Sequence, residues 1–142
     1  MKINEAGLRL IKDFEGLRLV AYRCPAGVLT IGFGHTIGVH EGDKITEEQA
    51  NDFLLSDLVH AEKAVNNLCP PLNGNQFSAL VSFVFNLGSM SLATSTLLRK
   101  IKEGKMDEAA ENFGKWVFAG GKVVEGLKRR RKAERELFER PV

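Results

Sequence analysis

Residues 15–36 read EGLRLVAYRCPAGVLTIGFGHT, and the rest of the chain is arranged around this stretch. It begins on one carboxylate, Glu15, which closes a short segment where Leu8, Ile11 and Phe14 fall at helical spacing. Asn4 is a good N-cap, so a helix is expected over about 5–14, and Gly16 lets the chain turn after it. Two apolar runs, 19–22 and 28–31, then flank Pro25 and Gly27. They read as a small hairpin, Pro25 fixing φ and Gly27 permitting positive φ in the turn. Small and large residues alternate through Ile31-Gly32-Phe33-Gly34-His35-Thr36. Side chains able to do chemistry gather here: Glu15, Tyr22, Cys24, Thr30, His35 and Thr36.

Downstream the pattern turns helical. Residues 38–44 suggest a loop or a short further strand. Thr46 and Gln49 have the spacing of a capping box, and Ala50, Phe53, Leu54, Leu58, Ala61 and Val65 continue with helical period. A helix of about twenty residues is expected, stopped by Pro70-Pro71. Its acids Glu47, Glu48, Asp52, Asp57 and Glu62 are expected on the wet side. Residues 75–87 are apolar on most faces, which predicts a buried central helix ended by Gly88. Two shorter helices follow, over about 96–103 and 107–115, divided by Gly104. After a break at Gly120-Gly121, a basic helix is expected over about 124–138. The fold class is therefore α+β and mostly helical. A small β-bearing lobe at about 15–45 and a helical lobe from 1–14 and 69–142 are joined by the helix at about 47–67, all in one domain.

Composition sets limits without choosing a function. The 142 residues suit one core; 44% are hydrophobic and 27% charged, as in ordinary globular proteins. A net charge of +2 says little about partners. No apolar run approaches the length of a membrane span, and no signal-peptide pattern opens the chain, so folding in the cytoplasm without stable membrane insertion is expected. Cys24 and Cys69 are too few for a disulfide framework and read as free thiols.

The spacing is specific: Glu15, eight residues, Cys24, five residues, Thr30, then the glycine-rich run to Thr36. It resembles the catalytic signature of phage-type lysozymes, the endolysin muramidases of glycoside hydrolase family 24, which carry Asp or Cys at the middle position. The resemblance continues in residues 76–88 as the central helix, in 95–98 as the next one, and in Trp116, Gly126-Leu127, Arg129-Arg130-Arg131 and Glu134. It implies a lysozyme-like fold with a cleft between its two lobes. It also implies hydrolysis of the β-1,4 bond between N-acetylmuramic acid and N-acetylglucosamine in peptidoglycan, ending in host lysis. A monomer without metal or cofactor is expected, waiting in the host cytoplasm until a holin gives it access to the wall.

Residue chemistry supports this independently. Glycoside cleavage needs a proton for the leaving oxygen and help for an oxocarbenium-like centre. Glu15 lies between apolar segments, which favour the proton-carrying form of an acid. Cys24 and Thr30 lie across the hairpin; Thr30 can hold a water, while Cys24 reads as base, nucleophile or spacer. The candidate catalytic residues are thus Glu15, Cys24 and Thr30, and the candidate substrate contacts are Tyr22, Gly34, His35 and Asn86. Two other classes stay open: a thiol hydrolase built on Cys24 and His35, and a non-enzymatic basic module using Lys128-Arg129-Arg130-Arg131-Lys132. The first lacks an orienting third residue. The second lacks a nucleic-acid-reading motif, so a nucleic-acid partner is not expected. That basic run is otherwise expected to be a solvated helix face able to attract anionic wall or lipid, with Arg129 or Arg130 free to pair with a carboxylate.

Overall fold

The computed structural model describes all 142 residues. The elements follow in the order α1 (Glu5–Glu15), β1 (Arg18–Arg23), β2 (Leu29–Gly32), α2 (Glu47–Leu68), α3 (Gly74–Leu87), α4 (Ser89–Ala93), α5 (Thr96–Lys102) and α6 (Met106–Asn112). A 3-10 turn (Phe113–Lys115), β3 (Phe118–Ala119), β4 (Lys122–Val123) and α7 (Glu125–Glu139) complete the chain. Two compact units result, residues 11–59 and residues 1–10 with 60–142, and their boundaries fall inside α1 and α2. No helix is long and apolar enough to cross a membrane.

In the unit formed by 11–59, β1 and β2 pair antiparallel, with Tyr22 opposite Thr30 and Arg23 opposite Leu29. The register slips between Arg18 and Tyr22. There the other edge of β1 bonds to the segment after the hairpin: the Ala21 amide donates to the Asp43 carbonyl, and the Ile45 amide to that of Leu19, each at 2.9 Å. So the segment expected at 38–44 as a loop or a short strand is a loop that ends by adding a bridge to the sheet. The hairpin's apolar residues build little core, since Leu19, Val20 and Val28 stay exposed. The buried apolar residues of this unit are Ile11, Ile31, Phe33, Ala50, Leu54 and Leu58.

The start of α2 follows its capping box: the Gln49 amide donates to Thr46 Oγ1 at 3.1 Å, and the Thr46 amide to Gln49 Oε1 at 2.9 Å. The acids along this helix are not all on a wet side. Asp57 and Glu62 are both partly buried and both engaged, Glu62 Oε2 accepting the Ile3 amide at 2.8 Å. Asp57 lies one turn after Phe53 and one turn before Ala61, which places it on the apolar stripe.

In the other unit α3 is central and packs against α7. From Phe77 to Val84 every residue of α3 is buried, as an all-round apolar sequence requires. Phe83 has no exposed surface and meets the rings of Phe113 and Trp116 edge-on, with centroids 5.8 and 5.5 Å away. Gly88 ends the helix with φ at 92°, where L side chains are strained, and its amide closes on the Val84 carbonyl. Two elements escape sequence patterning. The short helix α4 has too few residues to show a period, and β3–β4 is a hairpin folded on Gly120-Gly121, where only a break was expected.

The basic run on α7 is a correction. Lys128, Arg129 and Lys132 are exposed, but Arg130 and Arg131 are 4% and 1% exposed. They surround Glu134, which has no exposed surface at all. Residues 130, 131, 134, 137 and 138 share one helix face, and Leu137 and Phe138 on that face are core. The charges are therefore inside because the helical period puts them there. A solvated basic face built on all five residues does not exist.

Candidate active site

The loop after β2 is set by two glycines. The Ile31 and His35 amides each donate to the other residue's carbonyl at 2.9 Å, closing a tight loop. Closure at this span needs positive φ, supplied by Gly32 at 68° and Gly34 at 84°. Gly34 has a second reason to be glycine: a Cβ there would lie 3.0 Å from Glu15 Oε1. Glu15, the last residue of α1 and half-buried, is thus brought directly against the Gly34 backbone. Two candidates far apart in the motif meet at this point.

His35 is buried and engages α2. Its Nδ1 lies 3.1 and 2.9 Å from the two oxygens of Asp57, and its ring stacks on Phe53 with centroids 4.2 Å apart and planes 10° from parallel. The imidazole is held by α2 at its Nδ1 and on one ring face, so it braces the loop that carries Gly34. Asp57 is the functional partner that sequence reading misplaced; its stripe position was the available signal.

Cys24 follows β1 and opens the hairpin turn. Its amide donates to the Val28 carbonyl at 2.9 Å, and the Gly27 amide returns to the Cys24 carbonyl at 2.8 Å. This winding holds the thiol below its ordinary value, chiefly through hydrogen bonding to the Val28 backbone, then to that of Ala26, with the Thr30 hydroxyl adding to it. Thr30 is buried and also donates to the Val28 carbonyl at 3.0 Å. Cys24 and Thr30 are therefore one connected group. Tyr22, two residues before, is half-exposed, with the Arg18 guanidinium 4.6 Å over its ring. Cys69 has the opposite chemistry: burial pushes its thiol up to about 11, with Lys102 pulling slightly back.

Asn86 belongs to the unit of α3 and α7, where Arg131 Nη2 donates to its Oδ1 at 2.7 Å. Around the same guanidinium, Glu134 Oε1 lies 2.7 Å from Arg131 Nε. Glu134 Oε2 accepts from Ser82 Oγ at 2.6 Å, from Arg131 Nη2 at 3.1 Å and from Arg130 Nε at 3.4 Å. Burial pushes the Glu134 carboxyl up and the Arg131 guanidinium down, each drawn back by the other.

The family described as Phage lysozyme matches residues 12–134, a span holding every candidate site residue. The chain belongs to that family. It is 46% identical over 144 aligned positions to an endolysin of Acyrthosiphon pisum secondary endosymbiont phage 1, covering 98% of this chain and 99% of the relative. It is 43% identical to an endolysin of Bacillus phage B103 but spans only 54% of that longer protein. Among solved structures, the muramidase domain of SpmX from Asticcacaulis excentricus superposes with a TM-score of 0.91 at 45% identity, covering 99% of both chains. The mostly helical chain with two small antiparallel sheets is thus a lysozyme fold. A phage-lysozyme chain is a glycosidase of the muramidase kind, and peptidoglycan is its substrate.

Proposed function

We propose that Glu15 is the general acid of this muramidase and that Cys24, with Thr30, activates the attacking water. The observation that carries the reading is the pairing of two unlike groups in one motif. A carboxyl group is held against the bare backbone of Gly34, and a thiol has its anionic form favoured by backbone hydrogen bonds. Glycoside hydrolysis asks for one group that gives a proton and one that takes it from water. Glu15 protonates the leaving oxygen of the β-1,4 bond between N-acetylmuramic acid and N-acetylglucosamine. Cys24 takes the proton of a water that the Thr30 hydroxyl orients. Tyr22, Gly34 and Asn86 contact sugar, and His35 holds the loop through Asp57. The chain acts as a monomeric lysozyme-like domain that lyses the phage host, waiting in the host cytoplasm until a holin opens the way to the wall.

The thiol hydrolase reading loses its support from geometry, because the Cys24 thiol has the Val28 and Ala26 backbones and the Thr30 hydroxyl as its partners, while the His35 ring is stacked on Phe53 and is not paired with Cys24. Product analysis of digested peptidoglycan tests the proposal. New reducing ends of inverted configuration are expected. Retained configuration would make Cys24 a nucleophile, anhydro-sugar ends would mark a transglycosylase, and new amines would mark a peptidase. Glu15→Gln should lower the rate by about 10²–10⁴-fold with an unchanged circular dichroism spectrum. A variant that still clears permeabilised cells would overturn the assignment of the acid.

A further inference from the structure

An open pocket of about 450 Å³ lies between the 3-10 turn, the β3–β4 hairpin and α7. None of the candidate site residues lines it. Val117 and Val123 are the apolar side chains of its lining, while Lys128, Arg129 and Lys132 line it from α7. These three exposed cations make no ion pair or hydrogen bond within the protein, unlike Arg135, which is held by Glu139. Arg131 also reaches the lining, and its buried Nη1 has no hydrogen-bond partner. Against these, the lining holds one carboxylate, Glu125.

The pocket has two unmet requirements. Its cations need an acceptor, and its valines need an apolar cover. A bare anion would leave the valines wet, and an uncharged apolar molecule would leave the cations without a partner. The volume lies within the ~300–1,000 Å³ of small-molecule sites. We propose that this pocket binds a single-chain anionic amphiphile. The phosphate or carboxylate head sits on Lys128, Arg129 and Lys132, and the chain lies on Val117 and Val123. This site is independent of the glycosidase reaction.

Dodecyl phosphate, kept below its micelle concentration, is the probe. Trp116, the chain's single tryptophan, precedes Val117 and reports binding by fluorescence, and amide shifts of Val117 and Val123 locate it. Saturable binding that weakens with salt is expected. Inorganic phosphate and uncharged dodecyl maltoside should each bind at least about tenfold more weakly. Lys128→Glu with Lys132→Glu should also lose about tenfold or more, at an unchanged melting temperature, because both side chains are exposed. Val123→Ser, which removes apolar cover without adding charge, should weaken dodecyl phosphate while leaving inorganic phosphate unaffected. Equal affinity for dodecyl maltoside, or full affinity in the charge-reversed protein, would overturn the proposal. A response to anionic vesicles and none to monomeric dodecyl phosphate would assign the surface to a bilayer and overturn the pocket as its site.

Discussion

Arg131→Met tests the reading of the buried charge cluster. Arg131 is 1% exposed, and Glu134 Oε1 has no hydrogen bond besides its 2.7 Å ion contact with Arg131. Removing the guanidinium takes away the contact of Oε1 and leaves the carboxylate with Ser82 Oγ and Arg130; breaking a buried pair in this way costs at most about 3–5 kcal/mol. Against a total stability of about 5–15 kcal/mol, the loss is large. Asn86 also loses its 2.7 Å donor, but it is half-exposed and water can replace the bond. The double variant Arg131→Met with Glu134→Leu should recover part of the loss, because an apolar pair needs no desolvation of charge, although buried Arg130 then loses Glu134 and keeps its contacts to Ser82. Ser82 Oγ then lacks its acceptor, which limits the recovery by about 1 kcal/mol. Urea unfolding followed by Trp116 fluorescence measures all four corners of the cycle. Acidity supplies a further arm. Burial raises the native Glu134 carboxyl, so the folded protein binds this proton more tightly than the unfolded chain. Its contribution to folding is complete below the unfolded value of about 4.3 and is lost as pH rises through the raised native value. The deficit of Arg131→Met should therefore shrink on acidification. A loss below about 1 kcal/mol, or a double variant no better than the single one, would refute the account.

Phe83→Ala, at a site with no exposed surface and two edge-on ring contacts, should lose about 3–5 kcal/mol, read as a lower melting temperature. Asp57→Ala leaves the buried Nδ1 of His35 without its acceptor and should cost about 1–3 kcal/mol in urea unfolding. Cys24 should be alkylated by iodoacetamide with a midpoint below the ordinary thiol value of 9.0, while Cys69, pushed up to about 11, reacts only at higher pH. Mass spectrometry of the labelled peptides would count against the backbone cradle if Cys24 titrated at or above 9.0.

Local signals carried much of the fold. The capping residues Asn4 and Thr46, the stop at Pro70-Pro71 and the all-round apolar run of α3 each act within a few residues, so the sequence alone places those helices. The motif from Glu15 to Thr36 is equally local, and the chemistry of its side chains could be read before any coordinates. Tertiary structure decided the rest. The hairpin's apolar residues were left exposed, and the slipped edge of β1 was completed by residues 43–45, because pairing depends on which segment comes alongside. Asp57 became the partner of His35, 22 residues away, and Glu134 gathered Ser82, Arg130 and Arg131 into the interior. Helical spacing had put these charges on apolar faces. Whether such a face holds a misplaced charge or a satisfied pair depends on what the opposite element presents, and residues distant in the chain decide that.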